Sequence, residues 1–431
     1  MASLFGAVHR NWLLNNPPTV VKSSKPLLFG ILGAANIAPA AIILPAQNHP
    51  DVIVQTVAAR NPAKTKKYAK KHGIPQTAQS YEDILSDPTI DCVYIPLPNG
   101  LHYLWAQRAL KAGKHVLLEK PSVNNTAEAE RLFLSPTPPL PSSPSPSPPT
   151  PPGVLEAAHY LFHPAWALFM SHVAPGDVAS AKTTIWVPRW VFGSDDIRFN
   201  FELGGGALMD LGAYTASALT HIFGSVAEEC ESCETGLLAD ADQRCDRWYR
   251  ARYRFPNGGT GEMEGDLKAP LNKLTPTVSV THKPAVIDPA EVASEEVGSG
   301  EELLRTRTVE FANFVIPTIF HSITVTDQFA VRQKGAAAAG TPPRKTWKKS
   351  KTLKAYTWRE TGLAGFETQP GEPYWTTYRF QLEQFVNKVR GRDTPQWVEG
   401  MNSVNTMRMI DMAYNTAKLP LRPTTVEEAQ S

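Results

Sequence analysis

The sequence predicts an α/β protein whose first 130 of 431 residues form a doubly wound parallel sheet. Two observations support this fold class. Short apolar runs typical of buried strands alternate with helix-like segments, and a glycine-containing turn follows the first run. Because parallel strands need crossover helices between them, this alternation indicates a sheet covered by helices on both faces.

Four strands and four helices are predicted along this stretch. The strands are 27–33, 52–60, 91–98 and 115–121, and the helices begin near Pro39 or span 61–73, 101–114 and 125–133. The best-defined helix has Asn61 as its N-cap, Pro62 at its first position and Gly73 at its end. The last helix is capped by Asn125 or Thr126.

A run of Ser, Thr and Pro, LSPTPPLPSSPSPSPPTPPG, occupies residues 134–153. Prolines lack an N–H donor and clash with the preceding helical turn, so the helix over 125–133 must end at this run. We expect the run to be extended polyproline or disordered. It is either a surface insertion, which costs little closure entropy, or a gene-model artefact such as a translated intron. We favour the artefact, because losing the helix end would uncover part of the sheet.

Composition excludes several classes of protein. A net charge of +2 and a pI of about 8.2 provide no basic field for nucleic acid. No apolar run approaches the roughly 18 residues of a membrane span. Residues 1–50 lack Asp and Glu, which is compatible with a mitochondrial transit peptide, but we expect a cytoplasmic protein. Cys230 and Cys233 form a lone C-x-x-C that we interpret as free thiols, with no metal site.

The turn after the first strand, GILGAAN from Gly30 to Asn36, is the predicted cofactor site. A turn here brings backbone N–H groups to a pyrophosphate. The dinucleotide fingerprint is incomplete, because Ala35 stands where a glycine is expected. Arg60, with Lys64 one turn later, follows the second strand where an NAD enzyme carries Asp or Glu. A guanidinium can pair with a 2′-phosphate, so we predict NADP; an ordinary surface arginine is the alternative.

Residues 99–121, NGLHYLWAQRALKAGKHVLLEKP, resemble the signature region of the glucose–fructose oxidoreductase, inositol dehydrogenase and rhizopine-catabolism (Gfo/Idh/MocA) family. EAAHYLFHPAW (156–166) is similar to the family's strand leading into its second domain. ELGGGALMDLGAY (202–214) is similar to its glycine-rich turn and catalytic helix. The chain most resembles the NADP-dependent D-xylose 1-dehydrogenases and dimeric dihydrodiol dehydrogenases, including their fungal relatives.

The resemblance implies a Rossmann domain followed by an α/β domain with a large open, mainly antiparallel sheet. We expect an N-terminal arm over 1–25, the Rossmann domain over 26–153, a substrate-binding and oligomerisation domain over 154–423, and a tail over 424–431. Residues 283–310 and 333–351, rich in charge, Ala, Gly and Lys, are expected to be loops of the second domain. Pairing of the open sheets would give a homodimer.

The resemblance also implies a catalytic group of Lys120, Asp210 and Tyr214. Lys120 matches the family lysine that contacts substrate and helps to move the hydroxyl proton. Asp210 and Tyr214, at i and i+4, would share one helix face, and the glycines before them would let the backbone approach cofactor or substrate. A free tyrosine has a pKa near ~10, so we expect Lys120 to lower the pKa of Tyr214 and make it a base. Core packing of Tyr214 is the alternative.

Further site residues are predicted from the turn, the strand ends and the resemblance. The cofactor-binding residues are Gly30, Gly33, Ala35, Asn36, Ile37, Arg60, Lys64, Pro96, Asn99, His102, Glu119 and Lys120. The substrate residues are His159, Arg198 and Asp210. By resemblance His102 lies near the nicotinamide, with a structural role as the alternative, and Trp166 either contacts sugar or packs in the core.

Together these features predict an NADP-dependent dehydrogenase acting on a CH–OH group of a sugar or vicinal diol. D-xylose, oxidised to its lactone, is the substrate that the resemblance favours. Two alternatives stay open, a trans-dihydrodiol dehydrogenase and a catalytically silent NADP-binding regulator. The presence of Lys120, Asp210 and Tyr214 speaks against the regulator, because a sensor does not need them.

Overall fold

A computed structural model describes residues 2–135, 152–271, 273, 275–292, 297–298, 300–334 and 342–425. It contains one parallel sheet and one mainly antiparallel sheet, which confirms the predicted fold class. Most of the proline-rich run, residues 136–151, lies outside the described residues, so both explanations of it stay predictions.

The first sheet has six parallel strands in the order β3-β2-β1-β4-β5-β6. They are β1 (Leu27–Leu32), β2 (Val52–Ala58), β3 (Gln76–Thr77), β4 (Cys92–Ile95), β5 (His115–Leu118) and β6 (Val154–Glu156). The four predicted strands are present, whereas β3 is too short to give a sequence signal. Strand β6 belongs to this sheet although it follows the boundary expected at residue 153.

The helices of this half, apart from the first, flank the sheet. They are α1 (Ala2–Asn15), α2 (Leu44–Gln47) after a π-helical turn at Pro39–Ile43, α3 (Pro62–His72), α4 (Tyr81–Ser86), α5 (His102–Lys111) and α6 (Thr126–Phe133). The first contacts the second half of the chain through Arg10, which donates to the Thr318 carbonyl and the Tyr356 hydroxyl. The predicted caps are found: the Asn61 side chain accepts from the Lys64 N–H, and Gly73 ends α3 with φ +67°. Asn125, and not Thr126, caps α6. Helix α6 ends at Phe133, just before the prolines.

The second sheet has nine strands in the order β15-β14-β13-β11-β7-β10-β9-β8, with β12 paired to β13. They are β7 (Val178–Pro188), β8 (Glu229–Leu237), β9 (Asp246–Arg254), β10 (Thr260–Ala269), β11 (Thr277–His282), β12 (Ala285–Ile287), β13 (Glu301–Ala312), β14 (Ser322–Gln333) and β15 (Lys345–Leu353). Among the strand pairs described in this sheet, β7 and β10 alone run parallel. The prediction of loops over 283–310 and 333–351 is wrong in part, because strands β12, β13 and β15 lie in these ranges. Lysine-rich β15 is an edge strand, where charge discourages pairing with other chains.

Helices of the second half cover one face of this sheet and reach back to the first. They are α7 (Pro164–Met170), α8 (Ala207–Asp210), α9 (Gly212–Phe223), α10 (Trp358–Thr361), α11 (Thr377–Val389) and α12 (Gly400–Thr416). Helix α9 packs on β7 and β10. Helix α11 returns to the parallel sheet, where Phe385 contacts Phe29 of β1. Helix α12 packs on α6, with Asp411 accepting from the Thr126 N–H and hydroxyl. One hydrophobic core therefore runs through both halves.

The four cysteines are free thiols, and Cys230 and Cys233 lie on β8. Within the described ranges, no three His, Cys, Asp or Glu side chains come together as metal ligands could. None of the described helices is long and apolar enough to cross a bilayer. The cytoplasmic location stays a prediction.

Candidate active site

At the carboxyl end of the parallel sheet, three charged side chains from distant parts of the chain meet. Lys120 follows β5, Asp210 ends α8, and Arg198 lies in the short helical turn Ile197–Phe199. Lys120 Nζ donates to Asp210 Oδ1 at 2.6 Å and to the Asp210 carbonyl at 3.0 Å. Arg198 Nε donates to Asp210 Oδ2 at 2.8 Å. Both oxygens of the carboxylate are therefore held by cations, the arrangement that favours its charged form.

The charge of Asp210 is stable in this setting. Burial opposes ionisation, but the charges of Lys120 and Arg198 outweigh it and hold the pKa of Asp210 well below its usual range. The side chains of Lys120 and Asp210 are only 14% and 12% exposed, so solvent screens their pair weakly. Asp210 thus stays ionised near neutral pH and fixes the position of the Lys120 ammonium.

Tyr214 meets the same lysine from a different helix. Its ring centroid lies 4.8 Å from Lys120 Nζ. The expectation that Asp210 and Tyr214 share one helix face is wrong, because α8 ends at Asp210 and α9 begins at Gly212. The structure still brings Lys120, Asp210 and Tyr214 together, with the lysine as the contact common to both.

The expected lowering of the Tyr214 pKa is not found. Burial raises the pKa of Tyr214 well above its usual value, and nearby Tyr378, Glu119 and Asp210 add to the rise. Lys120 faces the ring and is paired with Asp210, so it does little to favour the phenolate. Tyr214 is therefore a phenol through the neutral range, and a phenol is suited to donating a proton.

The Tyr214 hydroxyl lies 2.9 Å from His159 Nε2, and His159 Nδ1 lies 2.8 Å from the Thr377 hydroxyl oxygen. His159, a predicted substrate residue, is 1% exposed, so its side chain is buried behind Tyr214. The ring of Tyr378 packs 4.0 Å from the His159 ring, centroid to centroid. Sequence reasoning missed Thr377 and Tyr378, because they lie more than 200 residues beyond His159 and carry no motif.

The Glu119 carboxylate is buried and makes its hydrogen bonds within the protein. It accepts from the Tyr94 hydroxyl at 2.6 Å and from the Lys120 N–H at 3.3 Å. Burial raises the pKa of Glu119, and the bonds from Tyr94 and Lys120 only partly oppose the rise. The predicted cofactor contact of Glu119 is therefore not supported by its geometry; the residue braces the loop that carries Lys120.

The glycines before α8 make close contacts with other parts of the protein, and their approach to cofactor or substrate stays a prediction. A Cβ on Gly205 would lie 2.7 Å from the Arg198 carbonyl oxygen. Gly206, at φ +124°, packs against the buried side chains of Arg422 and Asp246. Asp246 also accepts from the Leu208 N–H at 2.6 Å and so holds the first turn of α8. The glycine turn thus positions Asp210 through the helix that follows it.

The predicted cofactor turn is shorter than expected. Gly30 lies inside β1, where a side chain would collide with Ile84 of α4. The prediction that Gly30 binds the cofactor is therefore corrected: its small size allows the core to pack. Gly33 begins the turn with φ +113°, a conformation that favours glycine. The Tyr68 hydroxyl donates to the Ala35 carbonyl at 2.9 Å and ties the turn to α3. Asn36 and Ile37 after it are exposed.

The donors at this edge fit a dinucleotide. The turn lies where β1 ends beside β4, the usual phosphate position of a doubly wound sheet. Arg60 is exposed at the end of β2 and makes no ion pair with the part of the chain that the structure describes. Lys64 is exposed on the first turn of α3. Two exposed cations suit a phosphate on the adenosine ribose.

Three other predicted cofactor residues, His102, Pro96 and Asn99, lie in or contact the loops that follow the strands. His102 is fully buried, with its ring nitrogens 2.8 Å from the Pro121 carbonyl and 2.7 Å from the Leu97 carbonyl. Burial lowers the pKa of His102 to about 4. The structural alternative therefore fits it better than a nicotinamide contact. Pro96 is buried, and Asn99 Nδ2 donates to the Gly204 carbonyl at 2.9 Å. Trp166 is 2% exposed. This burial agrees with the alternative that Trp166 packs in the core.

Two models of one protein family match this chain. The oxidoreductase family with an NAD-binding Rossmann fold, GFO_IDH_MocA, matches residues 27–135, and the GFO/IDH/MocA C-terminal domain matches residues 174–283. The two segments together cover about half of the chain.

Individual relatives agree with this match. The chain is 36% identical over 201 residues to D-xylose 1-dehydrogenase (NADP(+)) 2 of Haloferax volcanii, which is 46% of this chain and 58% of that protein. It is 30% identical over 207 residues to trans-1,2-dihydrobenzene-1,2-diol dehydrogenase of Xenopus tropicalis. That alignment covers 45% of this chain and 56% of the Xenopus protein. The alignments thus span less than two thirds of these relatives.

A solved structure has the same fold. Levoglucosan dehydrogenase, in complex with NADH and levoglucosan, has a TM-score of 0.63 at 18% identity, and the match covers 91% of this chain and 98% of that dehydrogenase. That similarity concerns the fold alone.

Proposed function

The chain belongs to the Gfo/Idh/MocA oxidoreductase family, and we propose that it is an NADP-dependent dehydrogenase of a sugar, with D-xylose as the first candidate. The observation that carries the proposal is the cluster of Lys120, Asp210 and Tyr214 beside the dinucleotide edge of the parallel sheet. Residues 26–153 would bind the cofactor, and the second sheet and its helices would bind the sugar and a second copy of the chain.

A bound nicotinamide would supply the hydride in reduction and accept it in oxidation. Lys120, whose ammonium is fixed by Asp210, would point an N–H donor at the reacting oxygen of the substrate. The same donor stabilises negative charge that develops on this oxygen in either direction. Asp210 acts by holding the lysine, and its second oxygen binds Arg198.

Tyr214 would exchange the proton with the substrate oxygen. In reduction its neutral phenol is the ready donor, because burial keeps its pKa high. In oxidation the proton would pass back to Tyr214, and the base would be the phenolate stabilised by its partners. The raised pKa therefore favours reduction of a carbonyl at neutral pH, and oxidation at alkaline pH.

Two observations support NADP over NAD. Arg60 and Lys64 are exposed where the adenosine ribose would lie, and a carboxylate there would repel a 2′-phosphate. The Haloferax relative carries NADP(+) in its name.

A vicinal diol is the second candidate substrate. It is favoured by the similarity to the dihydrodiol dehydrogenase of Xenopus tropicalis. The chemistry at Lys120 and Tyr214 would be unchanged, because each substrate presents one reacting hydroxyl.

The test is a turnover assay that follows absorbance of the reduced nicotinamide. Purified protein, with and without residues 135–152, is mixed with NADP or NAD and with D-xylose, other pentoses or a trans-dihydrodiol. We expect turnover with NADP that is lost in Lys120→Ala. Tight NADPH binding without turnover of any sugar or diol would support the regulator instead, and turnover only after the deletion would identify the proline run as an artefact.

A further inference from the structure

A buried line of three side chains lies behind the reacting tyrosine. It runs from the Tyr214 hydroxyl to His159 and on to Thr377 at the start of α11, with heavy-atom distances of 2.9 Å and 2.8 Å. His159 is 1% exposed and Thr377 2% exposed, whereas Tyr214 is 8% exposed beside Lys120. The line therefore has one deep end, at Thr377, and one more exposed end, at Tyr214 beside Lys120.

The His159 ring can carry its hydrogen on either nitrogen, and each choice gives a different set of hydrogen bonds with Tyr214 and Thr377. Burial lowers the pKa of His159 to about 3, so its ring is neutral, with one nitrogen as donor and the other as acceptor. If Nδ1 carried the hydrogen, it would donate to Thr377, and Nε2 would accept the Tyr214 proton. If Nε2 carries the hydrogen, it donates to the Tyr214 oxygen, and Nδ1 accepts from the Thr377 hydroxyl.

The two arrangements differ in the donor that they leave without a partner. Within the described residues, His159 is the one hydrogen-bond partner of the Thr377 hydroxyl. The first arrangement would therefore leave the deeply buried Thr377 O–H unsatisfied, which is unfavourable because a buried donor without a partner has lost its hydrogen bonds to water. The second leaves only the O–H of Tyr214, which is more exposed than Thr377 and lies beside Lys120.

We propose that Thr377 fixes His159 as the Nε2–H tautomer, so that His159 donates to the Tyr214 oxygen and leaves the Tyr214 proton for the substrate. The proposal rests on the proposed function, in which Tyr214 exchanges a proton with substrate. His159 then acts as a positioning residue and not as the sugar contact that the sequence suggested.

Proton transfer from Tyr214 accompanies hydride transfer to the substrate. In reduction the Tyr214 O–H bond breaks, and a new O–H bond forms on the substrate oxygen as its carbon receives the hydride. The electron pair of the broken bond stays on the Tyr214 oxygen, where the His159 Nε2–H bond stabilises it. Oxidation reverses these changes.

The tautomer can be measured without turnover. Protein labelled with ¹⁵N at its 11 histidines is examined by long-range ¹H–¹⁵N NMR, which distinguishes Nε2–H from Nδ1–H rings. The His159 signal is identified by its loss in His159→Gln. We expect the Nε2–H pattern in the wild-type protein and in Thr377→Ser. An Nδ1–H pattern in the wild type would overturn the proposal, whatever the activity.

Kinetics provide the second arm of the test. Thr377→Val removes the hydroxyl, so we expect mixed tautomers and a kcat lower by about tenfold, the effect of one hydrogen bond, with KM for the sugar within about twofold. Thr377→Ser should restore both values. A rise in KM at constant kcat would instead make this line part of sugar binding and overturn the proposal. If the wild type shows the Nε2–H pattern but converts no substrate, the proposed function fails and the tautomer assignment stands.

Discussion

Replacing Asp210 by Asn tests the ionic core of the candidate site. The wild-type carboxylate accepts two charge-assisted hydrogen bonds, from Lys120 at 2.6 Å and from Arg198 at 2.8 Å. Such bonds contribute about 1.5–3 kcal/mol each, and partial exposure of both cations reduces this. The Asn amide oxygen can keep one of the two. We therefore expect Asp210→Asn to lower the free energy of unfolding by about 2 kcal/mol.

The pH dependence of this loss has a defined sign. Because the folded-state pKa of Asp210 is lowered, its contribution is present above the unfolded pKa of ~3.9 and is lost as pH falls through the folded pKa. The stability difference between wild type and variant should thus be constant between pH 5 and 9, and shrink in stronger acid. Without its anchor the Lys120 ammonium is mobile, so we also expect kcat/KM to fall by about a hundredfold, or about 2.7 kcal/mol.

Urea unfolding followed by fluorescence, together with the turnover assay, measures both effects. Asp196→Asn is the matched control, because Asp196 pairs with the same Arg198 at 3.1 Å but is 25% exposed. That variant should lose less than about 1 kcal/mol and keep its activity. Equal stability and equal turnover of the two variants would refute the assignment of Asp210 as the anchor of Lys120.

Three further predictions concern cofactor choice, proton transfer and the support of the glycine turn. Arg60→Glu should raise KM for NADP by at least about tenfold and leave KM for NAD nearly unchanged, as measured by initial rates with each cofactor. The wild-type reduction rate should stay level up to about pH 10, because the pKa of Tyr214 is raised, and Tyr214→Phe should cost about 10²-fold or more in kcat. Arg422→Met should lower the free energy of unfolding by about 3–5 kcal/mol in urea titrations, because it leaves Asp246, 0% exposed, without its cation.

Local signals were sufficient for the parallel sheet. Asn61 and Gly73 delimit α3 through their own backbone preferences, and neither needs a distant partner. The same holds for Asn125 at α6. The position of Lys120 at the end of β5 also follows from strand order, because ligands bind at the carboxyl ends of a doubly wound sheet.

Long-range packing explains what sequence reasoning missed. Gly30 lies in the core because Ile84 occupies the space beside it, which no turn motif reveals. Thr377 reaches His159 across 218 positions, and Arg422 reaches the glycine turn across 217. The high pKa of Tyr214 likewise depends on burial that only the assembled fold provides.

The most direct test of the central claim compares wild type with Lys120→Met for two quantities in the same preparation, NADPH affinity and NADP-dependent turnover of D-xylose. The account predicts that the variant binds NADPH within about threefold of the wild type but loses at least about 10²-fold in kcat, because the lysine acts on the reacting oxygen. A variant that still turns over sugar at the wild-type rate would contradict the claim that this cluster is the active site.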